Sequence, residues 1–361
     1  MGLLSFRKSV DPTLYCSEEL LAKDLSGKTI IVTGGNSGFG KLISDQLVKQ
    51  GAKVIIAGRR LAACEEAAAE LNAKGYPGSC TVSLLDLASL DSVRAFAERF
   101  IAEHDRLDVL VENAAVCCVG NSPLPGSGFE PHLGINHYGH FLLRHLLTPL
   151  LASSSPSRVV TVGSALHDRM FTQEPTSLDL TAEPEYLGWT TDEKIGQLQQ
   201  WMAYSRSKLA NVLSASAAGE ALSAQGVTIV SVHPGVDAST GLFRAMPKGA
   251  WFMRFFGSFF GVQTTWQSVQ TILHCTLEDE SSLQPGAFYS QYYQSKYRDG
   301  ATGGWPMTSP NPLVNAKDAA ALEAISYKVL GLTPPKGAAS SESSKLDAIA
   351  VPATPTTEEL M

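Results

Sequence analysis

No apolar run in the chain reaches the roughly 18 residues that a membrane-spanning helix requires, so no span is expected. The opening segment MGLLSFRKSVDP lacks the long apolar stretch of a secretory signal. Met1-Gly2 begins as a myristoylated terminus does, but Phe6 stands where Ser or Thr is wanted. Positive charge is not in excess. Against 35 Asp and Glu there are 28 Lys and Arg, a net charge of −7, which removes the electrostatic footprint of a nucleic-acid partner. Cysteine is scarce, six in all and without framework spacing. A disulfide scaffold is therefore excluded, and reduced thiols in a cytoplasmic compartment are expected. The adjacent Cys117 and Cys118 read as small residues lining a strand end, with a redox pair as the alternative. His132, His137, His140, His145, His167 and His233 show no recognisable ligand spacing, so no metal is expected. No internal repeat is evident.

What the chain does have is length and apolar content for a core: 361 residues, 44% hydrophobic. Its organising stretch is KTIIVTGGNSGFGKLISDQL, from Lys28 to Leu47. A short apolar run, Thr29 to Val32, reads as a strand; glycines follow at 34, 35, 38 and 40; an apolar pattern at Leu42, Ile43, Leu47 and Val48 reads as a helix. Strand, glycine loop and helix form a phosphate cradle. The glycines let backbone N–H groups approach a pyrophosphate, and the helix N-terminus favours its charge. Gly34, Asn36, Ser37, Gly38, Phe39 and Gly40 are the cofactor candidates on this loop.

Further strands are predicted at 52–58, 80–87, 107–116, 157–164 and from Gly226, with a short one near Ala287–Ser290. Helical patterns separate them: 61–75, Ser89 to about His104, one between Gly128 and Leu151, one ending near Ala224, and one near Ala316–Leu330. Strands that are almost wholly apolar and alternate with helices imply a parallel sheet covered on both faces. The expected fold is α/β, a doubly wound parallel sheet of the Rossmann type. Residues 1–26 read as an arm, 27–335 as one domain, and 336–361, rich in Ser, Pro, Thr and Ala, as a disordered tail. Residues 165–199 are polar and interrupt the rhythm as an excursion at the sheet's carboxyl edge.

Tyr204 and Lys208 lie four residues apart on a predicted helix, one turn apart on one face. A phenol near pKa 10 is a poor base at neutral pH, and a nearby ammonium would pull it down. Such a pair can take a proton from an alcohol, or give one to a carbonyl oxygen that receives hydride. The alternative is a solvated helix face.

TGGNSGFG, the Asn113-Ala114-Ala115 run, Ser164, YSRSK and His233-Pro234-Gly235 occur in that order. Together they resemble the short-chain dehydrogenase/reductase family over about residues 27 to 332. The resemblance implies Tyr204 as general acid/base and Lys208 holding the nicotinamide ribose. It also implies Ser164 polarising the substrate oxygen and Asn136 supporting a water-linked proton relay. By the same likeness Asp86 and Leu87 border the adenine, Asn113, Ala114 and Ala115 line the cofactor, and Pro234, Gly235, Val236 and Ser239 close over it. Two features depart from the family pattern. Glu112 stands where the family often has a first Asn, and forty residues separate Ser164 from Tyr204, longer than usual.

Charge argues the cofactor. An acid about 20 residues past the glycine loop would bind the ribose hydroxyls of NAD. Arg59 and Arg60 stand there instead, which suits the 2′-phosphate of NADP(H). The alternative is a solvated pair opening a helix.

DLASLDSVR, GINHYGHFLL and YSRSKLANVL look like the retinol-dehydrogenase branch, which includes the oxidoreductase domain that follows WW modules; its substrates are mostly lipophilic alcohols and carbonyls. The same segments, with STGLFR, also look like light-dependent protochlorophyllide reductase, but Val236 replaces the Cys that enzyme carries after Pro-Gly. Phe252, Phe255, Phe256, Phe259 and Phe260 form an apolar stripe at helical spacing. The stripe reads as core, as a lid over an apolar substrate, or as a contact with a membrane surface. The expected function is hydride transfer between NADP(H) and a lipophilic carbonyl or alcohol. A pigment reductase and a non-catalytic NADP-binding regulator are the alternatives.

Overall fold

The apolar runs become parallel strands. In the computed structural model, which describes residues 15–168, 174–181, 196–235, 264–290, 304–307, 309 and 311–334, the strands are β1 (Thr29–Thr33), β2 (Lys53–Gly58), β3 (Ser79–Leu84), β4 (Val109–Glu112), β5 (Ser157–Val162), β6 (Val227–His233) and β7 (Phe288–Ser290). All seven run parallel, and β8 (Gly304–Met307) adds an antiparallel edge. The order is β3-β2-β1-β4-β5-β6-β7-β8, so the winding reverses between β1 and β4. That reversal opens a crevice at the carboxyl ends, where ligands of such sheets bind.

β8 is the element the sequence hides. Its GWPM carries a glycine and a proline, which belong at a sheet edge and break the strand pattern. β4 is four residues long, shorter than its apolar run, because the chain leaves the ladder at Asn113 to enter the crevice.

Side chains alternate across the sheet. Ile31, Ile55, Leu110, Val159 and Ile229 face one layer; Ile30, Val32, Val54, Ile56, Val111 and Val230 face the other. Helices α2 (Gly38–Lys49) and α3 (Leu61–Asn72) cover the second face, and α4 (Leu90–Glu103) covers the first. Each of these aliphatic side chains contributes about 1.5–3 kcal/mol by leaving water. α4 opens on Ser89, whose hydroxyl accepts from the Ser92 N–H, and buries Phe96 and Phe100 on its apolar stripe.

The helix expected between Gly128 and Leu151 is divided. A short α5 (Pro131–Leu133) runs into a π-turn, Gly134–Tyr138, and then α6 (Gly139–Ser153). Such π-turns concentrate at functional sites, and this one carries Asn136. Gly139 is a glycine for packing reasons: a Cβ there would lie 2.5 Å from the Leu87 carbonyl oxygen. α7 (Gln197–Ser223) begins before the expected motif and spans 27 residues. α8 (Thr265–Ser268), α9 (Gln270–Leu277) and α10 (Ala316–Val329) complete the helices. α9 joins the layer of α2 and α3, while α6, α7 and α10 share the layer of α4.

The described part of the arm, with α1 (Glu18–Leu21), lies against the body. Gln46 on α2 and Gln50 at its C-cap donate to the carbonyls of Leu21, Leu20 and Lys23 at 2.8–2.9 Å. Of the 165–199 excursion, Thr176 returns to the body, its N–H donating to the Asp168 carbonyl at 2.6 Å and its hydroxyl to that of Leu166 at 2.9 Å. Val236, Ser239, the Phe stripe and the tail from Lys336 lie outside the described residues.

Candidate active site

The loops singled out in the sequence leave the sheet side by side at its carboxyl edge. After β1, Gly34 takes φ +65°, open to glycine without strain, and its N–H donates to the Ala57 carbonyl at 2.8 Å. A Cβ on Gly40 would collide with the Gly34 carbonyl oxygen and lie 2.6 Å from Asn113 Nδ2. The loop therefore folds onto itself only because that residue is glycine. Ser37 stands at the N-cap position of α2 without a side-chain capping bond and Phe39 packs against the apolar layer beneath, while Asn36 stays half-buried above Gly58.

Asn113 steadies the crevice floor. Its Nδ2 donates to the Thr33 carbonyl at 2.8 Å, and the Thr33 hydroxyl accepts from the N–H groups of Asn113 and Ala114, both at 2.9 Å. The same hydroxyl meets His140 Nε2 at 2.9 Å. Thr33 opens the TGGNSGFG motif but is not among the site residues expected from the sequence, because its role depends on partners about 80 and 107 residues away. Asp86 and Leu87 follow β3; the Asp86 N–H donates to Ser92 Oγ, its carboxylate accepts from the Ala88 N–H, both at 3.0 Å, and Leu87 is buried. Ala115 is half-buried beyond Ala114. Arg59 and Arg60 are exposed directly after β2, and no carboxylate of the described residues is placed in an ion pair with either. Past β6, Pro234 and Gly235 are buried, and the Gly235 N–H donates to the Ser268 carbonyl at 2.9 Å.

The four catalytic candidates converge. Ser164, just past β5, hydrogen-bonds to the Tyr204 phenol. Its hydroxyl also accepts from the Leu166 N–H at 3.2 Å, and its carbonyl accepts from His167 Nδ1 at 2.6 Å. Lys208 Nζ lies 5.7 Å from the centre of the Tyr204 ring and donates to the Val162 carbonyl at 2.7 Å. Asn136 is held at both ends: Oδ1 accepts from the Val116 N–H at 2.8 Å, and Nδ2 donates to the Val116 carbonyl at 3.0 Å and to Ser207 Oγ at 2.9 Å. Ser207 in turn donates to the Tyr204 carbonyl at 2.7 Å. Asn136 is thus tied to the Tyr204 turn of α7 through Ser207.

Burial dominates the electrostatics. It pushes the Tyr204 phenol above its ordinary value, with the neighbouring Cys117 adding to the rise and the Ser164 hydrogen bond opposing it. The downward pull expected from Lys208 does not prevail over burial; the Lys208 ammonium donates to the Val162 carbonyl. Burial also holds Lys208 down to about 8, against the upward influence of Cys117 and Glu112. The arrangement keeps a protonated phenol in a low-dielectric site, beside an amine whose charge is easily altered.

Cys117 and Cys118 enter the same site, which their sequence position alone did not indicate. Cys117 is buried with Trp201 and Tyr204, and Cys118 packs against that cluster. The histidines take structural partners: His137 with Ser326 Oγ at 2.9 Å, His167 with Ser309 Oγ at 2.6 Å, and His233 Nδ1 accepting from the Ala165 N–H at 3.0 Å. Among the described residues no group of three His, Cys, Asp or Glu could hold a metal ion, and no helix is long and apolar enough to cross a membrane.

A family model described as short chain dehydrogenase matches residues 28–174. Retinol dehydrogenase 12 of Bos taurus is 38% identical over 267 residues, covering 74% of this chain and 78% of the relative. Retinol dehydrogenase 11 of Homo sapiens is 38% identical over 268 residues, with the same coverage of each. Among solved structures, an uncharacterized protein from Mycobacterium paratuberculosis superposes with a TM-score of 0.61 at 28% identity, covering 86% of this chain and 96% of that one.

Proposed function

The chain belongs to the short-chain dehydrogenase/reductase family, in the branch of the retinol dehydrogenases, and on that premise we propose that it transfers hydride between NADP(H) and a lipophilic carbonyl or alcohol. It is an oxidoreductase of a family that uses a nicotinamide cofactor. The observation that carries the finer reading is the contact of the Ser164 hydroxyl with the Tyr204 phenol, one helical turn from Lys208.

The glycine loop fits a dinucleotide. It brings backbone N–H groups and the N-terminus of α2 together over a turn that a Cβ at Gly40 would fill. Gly34 to Gly40 would hold the pyrophosphate, Asp86 and Leu87 would border the adenine, and Asn113 to Ala115 and Lys208 the nicotinamide half. Arg59 and Arg60, two exposed cations with no acid at that position, support a 2′-phosphate. When bound, the cofactor supplies or accepts the hydride at the substrate carbon.

The chain's own residues handle the oxygen. Ser164 donates to it and fixes its direction. Tyr204 holds its proton until negative charge develops there, then delivers it; a phenol kept protonated by burial is set for the acid role, which supports carbonyl reduction. Lys208 balances the charge left on the phenol, and Asn136, through Ser207, holds the Tyr204 turn in register with the loop after β4. The lipophilic substrate class is supported by the names of the relatives and by the apolar side chains around Tyr204, Trp201, Leu166 and Met202.

The test is a panel of retinal, long-chain aldehydes and small polar carbonyls, each with NADPH and NADH, read as loss of reduced-nicotinamide absorbance. Turnover of the apolar members with NADPH is expected. Tight NADPH binding without turnover of any member would favour the non-catalytic regulator, and turnover of a chlorin only in light would favour the pigment reductase.

A further inference from the structure

Two adjacent cysteines follow β4 and reach the catalytic tyrosine. In extended chain, neighbouring side chains point to opposite faces. Cys118 instead takes φ +54°, a left-handed conformation that a residue with a Cβ adopts at a cost, and one that clusters at functional sites. Both sulfurs consequently lie on one side, Sγ to Sγ 3.6 Å. The loop that carries them is fixed at both ends. Asn136 clamps the Val116 backbone, and Gln200 Oε1 accepts from the Gly120 N–H at 2.9 Å. Cys117 is buried against Tyr204 and Trp201, while Cys118 is half-exposed beside the exposed Val119.

We propose that Cys117 and Cys118 form a bidentate thiol site for monosubstituted trivalent arsenicals, R–As(OH)₂, and that its occupant sits against Tyr204. Two S–H and two As–O bonds break, two As–S bonds form, and two waters leave. Arsenic stays trivalent and no oxidant is consumed.

The pair suits a bridging atom better than a direct bond. A disulfide needs sulfurs about 2.05 Å apart and Cα atoms usually 4.4–6.8 Å apart, whereas adjacent Cα atoms are held about 3.8 Å apart. Direct closure is therefore strained, and a third atom between the sulfurs avoids that strain. Burial pushes both thiols up, which keeps them as S–H and slows thiolate chemistry such as disulfide exchange. Condensation with an arsenical consumes the thiols in that form. The other cysteines, Cys16, Cys64, Cys80 and Cys275, are buried and do not border Tyr204.

The site itself is independent of the proposed activity; only the consequence for turnover rests on that reading. Purified full-length protein is treated with phenylarsine oxide. One adduct per chain is expected by intact mass, with two thiols lost to titration and the mass mapping to the peptide of Cys117 and Cys118. The adduct should survive excess glutathione and be removed by 2,3-dimercaptopropanol. Cys118→Ala and Cys118→Gly should both lose the glutathione-resistant adduct; glycine suits φ +54°, so at least one variant is expected to fold. Persistence of that adduct in both variants, or its mapping to other cysteines, overturns the site. Carbonyl reduction should fall at least tenfold on treatment and return with the dithiol. Full turnover of the arsenylated protein would overturn the placement against Tyr204. If untreated protein reduces no carbonyl, the proposed function fails, while the mass readings still judge the thiol pair.

Discussion

Arg144 donates to both carboxylate oxygens of Glu112, at 3.1 and 3.0 Å, with both side chains withdrawn from water. The Thr161 hydroxyl donates to the same carboxylate at 2.7 Å, and Arg144 Nη2 donates to Ser214 Oγ at 2.6 Å. One ion pair thus ties β4 to α6, β5 and α7 directly behind the candidate site. Glu112 is the position that departs from the family pattern, and Arg144 is what makes a carboxylate tolerable there.

From that pairing, Arg144→Met should destabilise the protein by about 3–5 kcal/mol, because it leaves a buried carboxylate without the cation that donates to it. Glu112→Leu combined with Arg144→Met should recover most of the loss, since replacing both partners removes the unpaired charge. Urea unfolding of the two single variants and the double variant measures the coupling. Additive losses would mean that the two side chains do not interact as the distances imply.

Tyr204→Phe should abolish turnover, a loss of about 10²-fold or more, and leave NADPH binding nearly intact, because the phenol proton is needed only as charge develops on the substrate oxygen. Lys208→Ala should damage both, since its ammonium lies 5.7 Å from the centre of the Tyr204 ring and the proposed role of Lys208 is to hold the nicotinamide half. Steady-state kinetics with a fluorescence titration of NADPH separates the two. A Phe variant keeping more than about a tenth of the activity would exclude general acid catalysis by Tyr204.

Arg59→Asp should lose NADPH affinity and gain some for NADH, because a carboxylate repels the 2′-phosphate yet accepts from ribose hydroxyls. A charge-assisted contact of this kind is worth about 1.5–3 kcal/mol, roughly 10- to 150-fold. The ratio of kcat/KM with the two cofactors, taken at fixed ionic strength, is the measurement. An unchanged ratio would leave Arg59 and Arg60 as a solvated helix start.

His137 is buried against Ser326, and burial, with Arg144 and His140 adding to the effect, holds its ring down to about 3. The folded ring stays neutral where the unfolded one takes a proton, below about 6.5. Its contribution is therefore present above pH 6.5 and is lost as pH falls toward 3. His137→Gln, which can still reach Ser326, should shrink the drop in unfolding free energy between pH 7 and pH 4.5 by roughly 2–3 kcal/mol. Equal drops in the two proteins would mean that His137 titrates on the surface.

Much of this fold is written locally. The apolar runs of β1 to β6, the glycine loop before α2 and the Tyr204–Lys208 spacing each follow from a few neighbouring residues, because strand burial, turn geometry and helical periodicity are short-range properties. That is why the family resemblance and the order of the candidate site loops are legible in the amino-acid sequence alone. The tertiary structure decided what depends on distant partners. The partner of Glu112 lies 32 residues away on another element, and nothing near Arg144 in sequence announces it. β8 is a strand only because β7 offers it an edge. The Tyr204 phenol lies above its ordinary range because packing removes it from water, which the four-residue spacing could not convey. Cys117 and Cys118 became part of the site when the left-handed turn at Cys118 swung both sulfurs to the face that α7 covers with Tyr204. Spacing along the chain determines which side chains share an element; only the packing of elements determines which of them share a solvent, a charge or a substrate.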